Sequence, residues 1–320
     1  MRGDEELAQF GPAEPGVREG YECLLAAMPA TGCTDATSAR FPGPADRPVA
    51  PQSLRFARLA KALQTPAGDG VLFGYPRLAL DLSTPPGCVR CGECLSGCPE
   101  HLFFDASRRL ETMAVDGTLS WMPGPALFLA LRANGVEVAT PGGIVRAERV
   151  YLAGGPVATA SILQRSGLVT GDVELEDSAV FYTAYLNING PTDDAYEFAS
   201  THLMAFADRP GPGDFQLAIY EANREYRTRF REVLRVMPSG LIPDIILRRV
   251  NAGIGFVGPH VSGRLVVKTV PGGRTWVVRR ANPRTRAAAR SVVARVGKRL
   301  RANGVRPVPG ALVVPPPGSG

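Results

Sequence analysis

A mixed α/β chain of α+β character is what this sequence predicts, and three observations carry the prediction. The first is Val150–Gly167, an apolar run and two glycines followed by a helix-length stretch with Pro156 at its start and Gly167 past its end. The second is a pair of β-branched runs, Arg264–Val270 and Thr275–Arg280, joined through Pro271-Gly272-Gly273 as a hairpin. The third is Asn282-Pro283 leading into helical spacing over 284–302, stopped by Asn303-Gly304.

Taken in order, residues 1–50 are rich in Gly, Pro, Ala and Thr and read as an irregular lead-in that holds Cys23 and Cys33. Ser53 is placed to cap a helix over Leu54–Leu63, with Phe56, Leu59, Ala60 and Leu63 on one face. Val71–Leu82 alternates loosely as a strand, and Val136–Val138 reads as a short strand before the turn at 141–143. Arg149–Ala153 is expected to be a buried strand delivering the chain through Gly154-Gly155 into the helix at Pro156. Ala179–Ile188 and Phe215–Tyr220 are strand-like, whereas Gly253–Gly258 reads as a glycine-rich loop, because Pro259 and Gly263 follow it instead of a helix. In the last helix Ala289, Val292, Val293, Val296 and Leu300 share an arc and arginines fill the rest.

Composition narrows the function classes. With 45% hydrophobic and 21% charged residues the chain suits one or two globular domains, and its 36 Gly and 29 Pro argue against a helical bundle. No run of eighteen apolar residues occurs, so no membrane span is expected. A polar, acidic start and clustered cysteines make a reduced, cytoplasmic location the expectation. The net charge of +6 is concentrated between Arg264 and Arg306, a stretch without Asp or Glu. Its one aromatic, Trp276, and the absence of a binding motif speak against nucleic acid as a partner.

The strongest chemical signal is Cys88–Pro99, which reads C-x2-C-x2-C-x3-C-P. Bacterial ferredoxins hold iron–sulfur clusters with this run. Four thiols so close together, with Gly92 and Gly97 easing the turns, can converge on one soft metal centre. Cys88, Cys91, Cys94 and Cys98 are therefore the candidate ligands, and three states stay open: an iron–sulfur cluster, tetrahedral zinc, or a metal-free loop of reduced thiols. His101, His202 and His260 are the only histidines. His101 could support the centre and His260 could line a substrate pocket, but none is assigned as catalytic.

Several of these segments together resemble the glucose–methanol–choline (GMC) flavin oxidoreductases, in particular bacterial members with a ferredoxin-like cysteine run. Cys88–Pro99 is similar to that cysteine segment, and Arg149–Gly167 to the family's strand–glycine–helix motif. The 264–280 hairpin with Asn282–Arg286 resembles the substrate-domain sheet and its helix, and Pro316–Gly320 the lead into the active-site segment. The resemblance implies 51–170 as a partial FAD-binding domain, 171–306 as a mostly antiparallel substrate domain with packed helices, and 307–320 as a Pro-rich tail. It also implies FAD, contacted by Ala153, Gly154 and Gly155, and an alcohol, sugar or polyol substrate oxidised at a CH–OH group. Electrons would leave through the cysteine centre to an acceptor.

The family's N-terminal Gly-x-Gly-x-x-Gly unit and its C-terminal catalytic histidine are not found in matching context. The expectation is therefore a truncated enzyme, inactive alone, with a second polypeptide as the source of the missing segments. The alternative is an iron–sulfur electron-transfer or accessory subunit without catalysis of its own.

Overall fold

A computed structural model describes residues 17–32, 34–38, 46–65, 67–190, 198–209, 211, 213–221, 223, 227, 244–270 and 274–318. Cys33 and the Pro271–Gly273 turn lie outside them. In chain order the elements are α1 (Val17–Ala27), α2 (Leu54–Leu63), β1 (Val71–Gly74), α3 (Ala106–Val115), β2 (Phe128–Arg132), β3 (Gly135–Thr140) and β4 (Gly143–Ala147). Then follow α4 (Pro156–Arg165), β5 (Val173–Glu176), β6 (Val180–Asn187), β7 (Leu203–Ala207), β8 (Phe215–Tyr220) and α5 (Asp244–Leu247). The series ends with β9 (Val250–Val257), β10 (Arg264–Thr269), β11 (Thr275–Arg280), α6 (Thr285–Arg301) and β12 (Val305–Pro307). The fold is mixed α/β, with antiparallel pairing in all three sheets.

Two compact units interleave along the chain, where the sequence reading divided it into consecutive segments. The first comprises residues 1–105, 180–258 and 286–314. It is built on a six-stranded sheet ordered β1-β7-β8-β9-β6-β12. Helix α2 buries the anticipated face, Phe56, Leu59, Ala60 and Leu63, and the Ser53 hydroxyl accepts from the Phe56 amide as its cap. Helix α6 buries Ala289, Val292, Val296 and Leu300.

Two of the arginines on α6 are structural. The Arg295 guanidinium lies 5.1 Å from the Phe215 ring centre and donates to the Gly70 carbonyl at 2.7 Å. Arg299 lies over Phe73 and donates to the carbonyls of Leu63 and Thr65, capping the end of α2. Part of the basic stretch is thus spent on packing.

Among the described residues of the lead-in is a helix, α1, which the sequence reading did not anticipate. Beyond it, Thr31 exchanges backbone and side-chain hydrogen bonds with Leu78 and Pro76. The Asp35 carboxylate accepts from the Tyr75 amide at 2.7 Å and from Arg77 at 3.2 Å. A Cβ on Gly74 would meet the Thr37 hydroxyl at 2.6 Å, so glycine is needed for this close approach. These contacts hold the segment that enters the cysteine loop.

Gly253–Gly258 is not the loop expected from the sequence. Gly253 and Gly255 belong to β9, an interior strand between β8 and β6. A Cβ at Gly255 would lie 2.2 Å from Cζ of Phe181, and one at Gly253 2.7 Å from the Thr183 methyl. The glycines make room for side chains of the neighbouring strand.

The second unit comprises 106–179, 259–285 and 315–320. Two three-stranded sheets, β2-β3-β4 and β11-β10-β5, both contact α4. Gln164 ties the helix to the second sheet, donating to the Val267 carbonyl at 3.1 Å and accepting from Thr269 at 2.8 Å. Ser166 accepts from the Leu129 amide of the first sheet at 2.7 Å. The two runs expected to form a hairpin do pair, Arg264 with Arg280 through Thr269 with Thr275.

One element fails. The expected strand at Arg149–Ala153 lies outside every sheet, and Tyr151 is 83% exposed. An apolar run becomes a strand only where a neighbour takes up its amides and carbonyls, and no described strand lies beside it.

Candidate metal centre

The cysteine loop is closed at its base by backbone pairing. Asp81 N–H donates to Leu102 O and Phe104 N–H to Ala79 O, each at 2.8 Å, around a Leu80–Phe103 bridge. At the entrance the Asp81 carboxylate accepts from the amide and hydroxyl of Ser83 and from the Thr84 hydroxyl. Those bonds hold its pKa down at about 2. Inside, Ser96 N–H bonds Glu93 O and His101 N–H bonds Cys98 O as successive tight turns.

The turns need left-handed backbone. Gly87, Gly92 and Gly97 take φ of 71°, 79° and 118°, values at which glycine carries no Cβ penalty. Arg90 (56°) and His101 (53°) are the two described non-glycine residues with positive φ, and both flank the cysteines. Each costs on the order of 1–2 kcal/mol, so the closed loop is holding conformations its residues do not favour alone.

All four predicted ligands line one cavity, with Leu80, Leu102, Phe103 and Phe198 as its apolar wall. Cys91 is exposed, while Cys88, Cys94 and Cys98 are half-buried and pack on the Leu80–Leu102–Phe198 cluster. Burial pushes the Cys94 thiol up to about 11, and the neighbouring Cys88, Cys91 and Cys98 add to the rise. Cys88 is raised for the same first reason. Burial beside neighbouring sulfurs makes Cys88 and Cys94 poor thiolates on their own, and a bound cation removes that penalty. The backbone amides of Arg90 and Ala199 act against that rise, favouring the Cys88 and Cys94 thiolates.

Among the described residues no three Cys, His, Asp or Glu side chains stand close enough to hold a single metal ion as placed. The shared cavity and this spacing describe the same loop at two scales. A mononuclear zinc site requires every sulfur about 2.3 Å from one centre. A polynuclear cluster carries its metals at its corners and accepts thiolates spread more widely around it. The donor set is soft and wholly sulfur, which also suits iron–sulfur chemistry.

Sequence reasoning missed half of this site. Leu80 and Leu102 are legible in hindsight as apolar residues bracketing the run, but Phe198 and Ala199 come from a hundred residues away with no local signal. His101 is exposed, as is His260 in a short 3-10 turn at Pro259–Val261. His202 is 1% exposed, and burial holds its pKa down at about 4. Its Nδ1 accepts the Glu221 amide at 3.3 Å, which leaves the proton on Nε2. The Glu221 carboxylate, 3.7 Å from Nε2, would favour the charged ring, but it pairs with Arg55 at 2.8 Å and burial wins.

In the second unit, Gly154 and Gly155 lie at the N-terminus of α4 and line an open cleft of about 460 Å³ with Pro156, Val157, Arg165 and Thr275. Gly155 sits at φ 83° with no side-chain cap, and a Cβ there would meet nothing within 4 Å. Ala153 is exposed and does not line the cleft. The uncapped amides suit an anionic phosphate, so the fit to a dinucleotide is confined to one contact. The run that should deliver this turn, Arg149–Ala153, pairs with no described strand.

No family model matches the chain, and no curated protein matches it. Among the described residues no helix is long and apolar enough to cross a membrane.

Proposed function

We propose that this chain is the iron–sulfur-bearing part of a FAD-dependent oxidoreductase acting on the CH–OH group of an alcohol, sugar or polyol, as the motif resemblance implies. The observation that carries it is that Cys88, Cys91, Cys94 and Cys98 all line one cavity, walled by Leu80, Leu102 and Phe198. When bound, the flavin supplies the two-electron chemistry that accepts a hydride from the substrate carbon. The chain's own residues do the rest. The four cysteines would hold a centre able to pass electrons on one at a time, with Leu80, Leu102 and Phe198 covering its inner side.

The substrate's hydroxyl proton needs a base within hydrogen-bond reach. No histidine described here takes that role: His202 is enclosed in protein, while His101 and His260 lie on the surface. The base and most of the flavin site are assigned to a second polypeptide or segment. Gly154 and Gly155 then contribute a phosphate contact only.

A second reading has its own support. The cysteine cavity is walled by Leu80, Leu102 and Phe198, whereas the flavin turn is open and the run before it unpaired, which favours an electron carrier or accessory subunit. Anaerobic purification with iron, sulfide and flavin analysis separates the readings. Iron with flavin supports the oxidoreductase, and iron alone supports the carrier. Flavin without iron overturns the relay, and neither overturns both.

A further inference from the structure

The most developed feature outside the cysteine run is the segment that faces it. We propose that Phe198–His202 forms the second wall of the cysteine centre and tunes its reduction potential, an inference that rests on the iron–sulfur reading.

Three observations meet in this segment. Phe198, 3% exposed, joins Leu80 and Leu102 in the cluster against which Cys88, Cys94 and Cys98 pack. Ala199, fully buried, follows it in the chain, and its backbone amide favours the Cys94 thiolate. His202 anchors the other end: its amide donates to Ile219 O at 2.9 Å, and its carbonyl accepts from Gln52 at 2.7 Å. Its ring lies between those of Phe56, at 5.1 Å, and Phe198, at 5.7 Å in an edge-to-face arrangement. The wall is therefore fixed both to the large sheet and to α2. Cys94 faces this dry, amide-bearing side, while Cys91 is open to solvent.

The two parts of the wall act on the potential with opposite sign. Reduction adds an electron, and hence negative charge, to a centre already held by thiolates. An N–H dipole aimed at a thiolate stabilises that charge and raises the potential, whereas excluding water withdraws stabilisation and lowers it. Removing the Phe198 ring admits water, so Phe198→Ala shifts the potential upward. Phe198→Leu keeps the apolar cover and stays near wild type. Ala199→Pro deletes the amide hydrogen and shifts the potential downward.

The experiment is an anaerobic redox titration of the reconstituted full chain followed by electron paramagnetic resonance, with iron and sulfide measured on each sample. In the metal-free protein, iodoacetamide labelling located by mass spectrometry gives a second readout. Phe198→Ala should speed labelling of Cys94 several-fold and leave the already exposed Cys91 unchanged. A wild-type chain that takes up no iron and sulfide overturns the iron–sulfur reading, and this inference with it. A wild-type chain that does, with Phe198→Ala unchanged in both potential and Cys94 labelling, overturns the wall alone. Should Ala199→Pro fail to fold, the Phe198→Ala and Phe198→Leu pair still decides the matter.

Discussion

Two loops of this molecule offer backbone amides to a ligand, and they differ in what surrounds them. The cysteine loop of the first unit is clamped at its base by the Ala79–Phe104 pairing and walled by residues distant in sequence. The glycine turn of the second unit opens onto a cleft and is preceded by a run that pairs with nothing described. A motif becomes a site when the rest of the chain encloses it. Enclosure raises the energetic stakes of each polar group, so substitutions should act strongly in the first region and weakly in the second.

The largest expected effect is on the cysteines themselves. Cys91→Ser should abolish the brown chromophore of anaerobically reconstituted protein and lower its unfolding midpoint, because ligand bonds couple to folding. An unchanged visible spectrum would exclude Cys91 as a ligand.

Next comes acidity. The folded-state pKa of His202 is depressed, from 6.5 to about 4, by burial. Below 6.5 the unfolded chain takes up a proton that the folded chain refuses. Its stabilising contribution is therefore complete above about pH 6.5 and is lost as pH falls toward 4. The loss amounts to about 3 kcal/mol at 1.36 kcal/mol per pKa unit. Urea titrations at pH 7 and pH 4.5 measure it, and His202→Gln should flatten the dependence. A profile as steep in that variant as in wild type would place the pH sensitivity elsewhere.

Gly255→Ala follows. The added Cβ would stand 2.2 Å from the Phe181 ring, between two neighbouring strands. Overpacking of this kind costs about 1–3 kcal/mol. A stability within error of wild type would show that Phe181 can turn aside.

What could be read in advance follows the same divide between local and distant. The buried faces of α2 and α6 were legible because a 3.6-residue period is a local property, and Ser53 and Gly304 mark their boundaries through local backbone chemistry. Strand β9 was not, since Gly253 and Gly255 resemble a loop until the side chains of Phe181 and Thr183 on the adjacent strand explain them. Of the candidate centre, the four sulfurs are written in one run. The wall is not: Phe198 reaches them only through the fold, and no spacing rule connects residue 94 to residue 199.

The smallest effect tests the open region. Tyr151 was expected inside a buried strand, where removing its ring would cost about 3–5 kcal/mol, as for large aromatic truncations in a core. Here it is 83% exposed and belongs to no sheet. An exposed side chain outside caps, bulges and networks shifts stability by about 0.5 kcal/mol or less. Tyr151→Ser in the isolated chain should therefore leave the urea midpoint within that range. The same substitution in the presence of a second polypeptide bearing the remaining flavin-binding segment should weaken their association, because the run at 149–153 would then have a strand to pair with. A loss of several kcal/mol in the isolated chain would mean that this run already sits in a sheet, and the contrast between the enclosed loop and the open turn would fall.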